Sequence, residues 1–228
     1  RWFPSLFARA GAAGMRSAAS GAPPLLSAAE PSGRSRYGVL DFECGGTAAA
    51  PAVDPQAGRS CNLDFRRGQA RADPRQDAKT AEFVGLMLVR GCTEVNLAHF
   101  VSLDAAGRAC GSGTTAACLD QLAIVDGLVG NLLDAVNVAV RDRGEEFLVI
   151  VSAGHGGPAG DGSVPFMVGR YKPSTAPRPA ALNAFRAPVR QVDVAATALA
   201  WLELGQGLEG LLDGRPQGLN AEGTTDIR

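Results

Sequence analysis

His155 is the histidine of this sequence best placed for chemistry, because it follows an apolar run and stands among glycines. Residues 147–151 are all apolar, and glycines occupy positions 154, 156 and 157. The carboxyl ends of strands in α/β proteins open onto the crevice where ligands bind, and glycine lets the backbone bend sharply there. The pattern therefore predicts a turn histidine at a strand's carboxyl end, held by hydrogen bonds to backbone or able to serve a ligand.

Asp104 and His99 are the next candidates, since both stand in or just after a second strand-like run at residues 94–100. Arg108 follows Asp104 by four residues, so we expect Asp104 to form a salt bridge or a cap. His99 alternates with apolar residues, which favours a structural histidine on the strand. Asp126 and Asp193 stand on helix-like segments and are interpreted as cap or surface carboxylates, with a buried hydrogen-bonding role as the alternative.

Ser152, His155 and Asp161 lie close together in sequence, so a serine hydrolase has to be considered. The G-x-S-x-G elbow that presents such a serine is missing, and three residues of one tight turn rarely reach triad geometry. The backbone N–H groups of Gly154, His155 and Gly156, with Arg108 beside them, could instead hold a phosphate or sulfate without turnover. An anion-binding site at these four residues is our expectation for any retained activity.

The elements that would position these residues alternate between helical and strand periodicity. Helices are predicted at residues 2–15, 77–90, 119–141 and 192–204, and strands at 37–42, 94–100, 147–151 and 164–168. Asp77 is expected to cap the second helix and Gly91 to end it. The third is interpreted as amphipathic and packed on a sheet, and the 147–151 strand as buried. This alternation predicts an α/β fold with a largely parallel sheet covered on both faces.

Composition bounds the class of protein. The chain has 228 residues, 46% of them hydrophobic, and 22 basic against 23 acidic residues, so it can form a core and shows no sign of a nucleic-acid partner. Its apolar runs are shorter than the roughly 20 residues of a membrane-spanning helix, and no transmembrane segment is predicted. The amino terminus lacks a secretory pattern, and we expect the chain to begin inside a longer or processed product.

The five cysteines show no C-x-x-C pair, which excludes a zinc ribbon. Cys92 is predicted to be a small core residue. A disulfide is left open among the remaining four, which stand in loop-like or helix-start sequence: Cys44, Cys61, Cys110 and Cys118.

Several motifs in order resemble the type I phosphodiesterase and nucleotide pyrophosphatase branch of the alkaline phosphatase superfamily. Residues 96–108 resemble its H-F-x-x-x-D-x-x-G-H segment, and 124–133 its V-D-x-x-V-G-x-L-L helix. Residues 152–157 are similar to its S-D-H-G-G turn and 164–168 to its V-P-F-x-V strand. The D-I-A-P-T helix and the terminal D-G-R-P-x-G resemble 191–204 and 212–218.

The resemblance implies a three-layer α/β/α sandwich of alkaline-phosphatase type, truncated or remodelled at its amino end. Residues 94–218 are interpreted as the core, 1–93 as a loop-rich remodelled part of the same domain, and 219–228 as a tail. Members of the family hold two metal ions, usually zinc, with carboxylates and imidazoles, and a Thr or Ser nucleophile attacks a phosphate or sulfate ester.

The implied metal ligands are mostly replaced in this sequence. Asp104 and His155 match ligands of two different metals, but Arg108 stands where the family has His and Gly154 where it has Asp. With two histidines in the chain, the family's three imidazole ligands are not available. Asp104 and His155 are therefore interpreted as vestiges of a lost metal centre, and no cofactor is expected.

Two functions remain from the sequence. The first is a pseudoenzyme that serves as a structural or interaction subunit, with protein partners in a larger assembly. The alternative is a zinc-dependent phosphodiesterase or phosphatase whose missing ligands come from an absent amino-terminal segment or a partner chain. The sequence gives no prediction of compartment.

Overall fold

The structure is a computed structural model that describes residues 6–21, 53–54, 59–60, 74–110, 115–155, 164–173, 188–208 and 210–219. Helices and small sheets alternate along the chain, so the predicted mixture of helix and strand is confirmed. The chain divides into two compact units, Arg1–Ala139 and Val140–Arg228, and each is described by itself.

The elements in chain order are α1 (Leu6–Ala12), β1 (Ser17–Ser20), β2 (Val53–Asp54), β3 (Arg59–Ser60), α2 (Pro74–Arg90), β4 (Val95–Ala98), α3 (Ser102–Cys110), α4 (Ala116–Arg143), β5 (Phe147–Ser152), β6 (Phe166–Tyr171) and α5 (Asp193–Trp201). The helices predicted at 77–90 and 192–204 are present, and Gly91 ends α2 with a φ of 65°. The strand predicted at 37–42 lies outside the described residues.

The first unit is built on a parallel pair of strands, β1 and β4, in register from Ser17 opposite Val95 to Ser20 opposite Ala98. Helix α2 packs against both strands and buries Phe83 and Met87. Burying a side chain of that size stabilises a fold by about 1.5–3 kcal/mol. Ala18 and Ala19 of β1 are also buried, and as neighbours on a strand they point to opposite faces of the pair. This strand pair joins residues on both sides of the boundary predicted at residue 93.

Helix α4 is longer than predicted and differs in its packing. Ala135, Val136 and Ala139, near its C-terminal end, are buried, and Ala135 lies close to Gly85 of α2. The first three turns carry exposed apolar side chains, with Leu122 48% and Ile124 49% exposed. The expectation of an amphipathic helix packed on a sheet is therefore wrong for these turns. The 3.6-residue period was present, but in these turns nothing in the described structure covers the apolar positions.

Helix α4 is the element to compare with the prediction that the chain has no transmembrane segment. Of the helices the structure describes, α4 is the one long and apolar enough to cross a membrane. The core helix of a soluble protein can have the same length and apolar composition, so these two properties do not assign α4 to a membrane.

The second unit contains an antiparallel pair, with Phe147 of β5 opposite Tyr171 of β6 and Ser152 opposite Phe166. The strand predicted at 164–168 thus begins two residues later, after Pro165, which has no N–H for the ladder. Residues Phe147 to Val151 are half-buried, so the expectation of a fully buried strand is wrong. Among the described strands, β6 is the one neighbour of β5 in its sheet.

The cysteine predictions are resolved at three positions. Cys110 at the end of α3 and Cys118 in the first turn of α4 form a disulfide. Cys92 lies outside this disulfide and is fully buried, which confirms the predicted core residue. Cys44 and Cys61 lie outside the described residues.

Candidate functional site

The carboxyl ends of β1 and β4 lie side by side in the first unit and bring several polar side chains together. The N–H of His99 donates to the carbonyl oxygen of Ser20 at 2.8 Å, which extends the strand pairing by one step. The Ser20 hydroxyl is fully buried and donates to the hydroxyl of Thr80 on α2 at 3.2 Å. This edge is where an α/β sheet presents ligand-binding groups.

Asp77 lies inside α2, and its buried carboxylate caps the next helix rather than its own. Its Oδ1 accepts the N–H of Val101 at 2.9 Å and its Oδ2 accepts the N–H of Ser102 at 3.0 Å. The Ser102 hydroxyl also donates to Oδ2 and itself accepts from Gln121 at 2.8 Å. The expectation that Asp77 caps its own helix is corrected, because α2 begins at Pro74 and the carboxylate faces the N-terminal end of α3.

His99 is half-buried beside these carboxylates. Burial lowers the pKa of its imidazole from the ordinary value of 6.5, and the charges of Asp77 and Asp104 oppose that shift without cancelling it. At neutral pH the ring is therefore mainly neutral. A neutral, partly enclosed ring suits the structural role predicted for His99.

Asp104 and Arg108 lie one turn apart on α3 and form an ion pair between Oδ2 and the guanidinium. The predicted salt bridge is confirmed, although Asp104 lies in the first turn of a helix and not at the end of a strand. The Arg108 side chain is 69% exposed and that of Asp104 is 34% exposed. An ion pair this accessible contributes about 0–1 kcal/mol to the stability of the fold. Its main effect is to place a positive charge beside the Asp104 carboxylate.

Gly154 and His155 follow β5 in the second unit, and both are exposed. A Cβ on Gly154 would meet only the side-chain amide of Gln191, at 3.9 Å, so the position has room for a side chain. Gly156 lies outside the described residues. Arg108 belongs to the first compact unit and His155 to the second, and the anion-binding site predicted from both stays a prediction.

Asp193 begins α5 and is the most completely hydrogen-bonded carboxylate described in the second unit. Its Oδ1 accepts the N–H of Arg215 at 2.8 Å, and its Oδ2 accepts the N–H of Arg190 at 2.9 Å and the amide of Gln217 at 3.0 Å. Burial alone would raise its pKa, but these hydrogen bonds and the charge of Arg190 hold the pKa below the ordinary value of 3.8. The alternative of a buried hydrogen-bonding role is thus confirmed.

The Asp193 network joins two segments that the sequence had marked only as motifs. The Thr197 hydroxyl donates to the carbonyl of Asp193 at 2.6 Å and accepts the N–H of Gln217 at 3.0 Å. A Cβ on Gly214 would lie 2.2 Å from the carbonyl oxygen of Val192, which explains why a glycine stands there. The D-G-R-P-Q-G segment is therefore fastened to the start of α5 and has a structural role.

The described residues do not fit a two-metal centre. Within the described ranges no group of three or more His, Cys, Asp or Glu side chains is arranged to hold a metal ion. The donor set itself disagrees with zinc, because Asp104 accepts from a guanidinium, which has no lone pair for a metal and repels one electrostatically.

Comparisons of the chain with family models, curated proteins and solved structures gave no match.

Proposed function

We propose that this chain is a catalytically degenerate domain of the alkaline phosphatase type that serves as a structural or interaction subunit of a larger assembly. The ion pair between Asp104 and Arg108 is the observation that carries the proposal. Asp104 is a ligand position in the motif that the sequence resembles, and its nearest charged neighbour is now a protein cation.

The electrostatics of this pair favour a site that works without metal. Two metal ions in such a centre supply most of the stabilisation of the attacking and leaving oxygens. A guanidinium on the same carboxylate neutralises it internally, so the site no longer carries the negative charge that attracts zinc. Position 154 likewise carries no carboxylate, so it offers zinc no anionic ligand.

The proposed fold is a three-layer α/β/α sandwich with a largely parallel sheet. The parallel pair of β1 and β4, covered by α2, supports such an arrangement in the first unit. Parallel strands need a crossover connection, and crossover helices cover the faces of the sheet. In the second unit β5 and β6 form a separate antiparallel pair, so the parallel arrangement is proposed from the first unit.

The first experiment is elemental analysis of the purified protein together with hydrolysis of a generic aryl phosphodiester. The proposal expects no stoichiometric zinc and no turnover above a heat-denatured control. About two zinc ions per chain with turnover would overturn it and favour the metal-dependent phosphodiesterase.

A double substitution tests whether the replaced ligands at positions 108 and 154 account for the proposed loss of metal binding. Arg108→His with Gly154→Asp restores an imidazole and a carboxylate, and Gly154 has room for the new side chain. We expect zinc uptake by this variant to exceed that of the parent. Arg141→His with Gly127→Asp is the matched control, because Arg141 is exposed and a Cβ at Gly127 meets nothing within 4 Å. Equal uptake by both variants would contradict a two-position defect.

A further inference from the structure

The N-terminal part of α4 is attached to the rest of the first unit by very few side chains. Every residue of this helix is described, and between residues 116 and 134 Cys118 is the one that is buried, at 5% exposure. The next buried residue is Ala135, about five turns further along. Because Cys118 is disulfide-bonded to Cys110 of α3, this cross-link is the main attachment of the first turns of α4, residues 116–126, within the described structure.

Gln121 provides a second and weaker attachment of the same turns. Its side-chain amide donates to the hydroxyl of Ser102 at 2.8 Å, and this hydroxyl donates to the buried carboxylate of Asp77. A single hydrogen bond between neutral groups contributes little net stability. A helical segment with so few buried side chains therefore opens easily once its cross-link is lost.

The core of the first unit does not depend on the disulfide. The parallel pair of β1 and β4 is covered by α2, whose Phe83 and Met87 are buried. The Asp77 carboxylate also holds the start of α3 through the N–H groups of Val101 and Ser102. Cleavage of the disulfide can therefore loosen the first turns of α4 while the strands, α2 and the start of α3 stay in place.

The two cysteines of the disulfide differ in their access to solvent. Cys110 is half-buried and is the last residue of α3, whereas Cys118 is buried in the first turn of α4. A thiolate that approaches from solvent therefore reaches Cys110 more readily than Cys118. Access of the attacked sulfur is one of the properties that set the rate of thiol–disulfide exchange.

The two helix ends favour the same direction of attack. When a thiolate attacks one sulfur of a disulfide, the other sulfur leaves as a thiolate, and the reaction is faster when that negative charge is stabilised. Attack on Cys110 places the charge on Cys118, where the N-terminal end of α4 stabilises it. Attack on Cys118 would place the charge at the C-terminal end of α3, where the helix dipole opposes it.

We propose that Cys110 and Cys118 form a reversible thiol–disulfide switch that controls the order of the first turns of α4. One thiolate of a dithiol reductant attacks the Cys110 Sγ, a mixed disulfide forms, and the bond to Cys118 breaks with its electron pair on the Cys118 Sγ. The second thiolate of the reductant then attacks the mixed disulfide and releases Cys110. The reductant becomes an intramolecular disulfide, its two protons pass to the two cysteines, and α4 loses its main attachment to α3.

The first test is reduction of the folded full chain by dithiothreitol without denaturant, followed by reoxidation with oxidised glutathione. Alkylation and peptide mapping measure the linkage at each cysteine. We expect the Cys110–Cys118 pair to be reduced and then restored, while the fully buried Cys92 stays unalkylated. A pair that is reduced only in urea, a reoxidised chain with another linkage, or alkylation of Cys92 on reduction would overturn the proposal.

The second test determines which sulfur is attacked. The oxidised chain is treated with reduced glutathione and quenched rapidly with N-ethylmaleimide, which alkylates any thiol set free. We expect the glutathione adduct on Cys110 and the alkyl group on Cys118, with this product in excess over its converse about tenfold or more. Equal amounts of the two products, or an excess of glutathione on Cys118, would overturn the assigned direction of attack.

Hydrogen exchange of the oxidised and reduced chains measures the structural response. On reduction we expect the amides of residues 120–126 to exchange about tenfold faster or more, because opening these turns no longer has to overcome the cross-link. The amides of α2 should keep their protection. Unchanged exchange in α4 would overturn the switch, and an equal increase in α2 would show that reduction simply unfolds the unit, which would overturn it as well.

Variants separate the disulfide from other effects of the reductant. The double variant Cys110→Ser with Cys118→Ser should show the exchange pattern of the reduced chain and no further change with dithiothreitol. Cys92→Ser is the matched control and should respond to dithiothreitol as the parent does. A double variant that still responds to dithiothreitol would contradict the assignment. None of these results depends on zinc content or hydrolysis, so a failure here is distinguishable from a failure of the proposed function.

Discussion

Gly21 lies against His99 so closely that no side chain fits between them. A Cβ on Gly21 would stand 2.5 Å from the Cβ of His99 and 2.6 Å from its carbonyl oxygen, and the φ of Gly21 is +148°. Both the space and the backbone conformation therefore require glycine where β1 ends beside β4. The contact lies next to the hydrogen bond from the His99 N–H to the Ser20 carbonyl oxygen, where the strand pairing ends.

Gly21→Ala is expected to lower the free energy of unfolding by about 2–4 kcal/mol, since the new methyl group must displace backbone and adopt a strained φ. Urea unfolding followed by circular dichroism measures the change. Gly127→Ala is the matched control, because a Cβ there meets nothing within 4 Å and α4 gains up to about 1 kcal/mol in helix propensity. A Gly21→Ala protein as stable as the parent would contradict the close approach of the two strands.

His99 is expected to make stability depend on pH between neutrality and mild acid. Its pKa is lowered by burial below the ordinary value of 6.5, so the unfolded state binds the proton more readily than the folded state. The free energy of unfolding therefore falls as the pH falls from about 7 through the ordinary pKa, and it recovers as the pH rises again. His99→Gln removes this titration, and its unfolding free energy should fall less between pH 7.5 and pH 5. Parallel curves for the two proteins over that range would contradict the burial of the imidazole.

Asp193→Asn is expected to lower the free energy of unfolding by about 2–3 kcal/mol at neutral pH, because the new NH₂ group faces N–H donors that the carboxylate had accepted. The lowered pKa of Asp193 also makes a contribution that is present above 3.8 and lost as the pH falls through the folded value. In Asp193→Asn the free energy of unfolding should therefore lose this part of its dependence on pH. Asp213→Asn is the control, since Asp213 accepts from Arg190 through its backbone carbonyl and its residue is exposed. Equal losses in both variants would contradict a special role for Asp193.

Local sequence signals predicted some of these features and missed others for identifiable reasons. The period of α2 and the glycine that ends it are local, and both were predicted. Strand β1 was missed because Ser17, Ala18, Ala19 and Ser20 have low strand propensity, and their pairing with β4 depends on residues far along the chain.

The candidate site shows the same division between local and distant contacts. The ion pair of Asp104 with Arg108 spans four residues on one helix, and its spacing was readable from the sequence. Asp77 reaches Ser102 across 25 residues, and Asp193 reaches Gln217 across 24. Partners this distant leave no spacing pattern in a single sequence. The segment at 212–218, which contains Gln217, was noticed in the sequence only because it resembles a family motif. Its structural role is shown by its hydrogen bonds to Asp193 and Thr197.

The Cys110–Cys118 disulfide is expected to stabilise the junction of α3 and α4, where Gln121 of α4 also donates to the Ser102 hydroxyl of α3. The two cysteines are 8 residues apart in sequence, and closing a loop of that length stabilises a fold by about 2–3 kcal/mol in the chain-entropy model. Replacing both by serine should lower the free energy of unfolding by that amount and raise hydrogen exchange most in the first turns of α4. Cys92→Ser is the contrasting variant, because it alters the core of the first unit without cutting a cross-link. Mass spectrometry of a non-reduced digest should find a peptide in which Cys110 and Cys118 are linked, and its absence would contradict the disulfide. Backbone hydrogen exchange in the first turns of α4 that is no faster in the double variant than in the parent would contradict the role of the disulfide in holding α4.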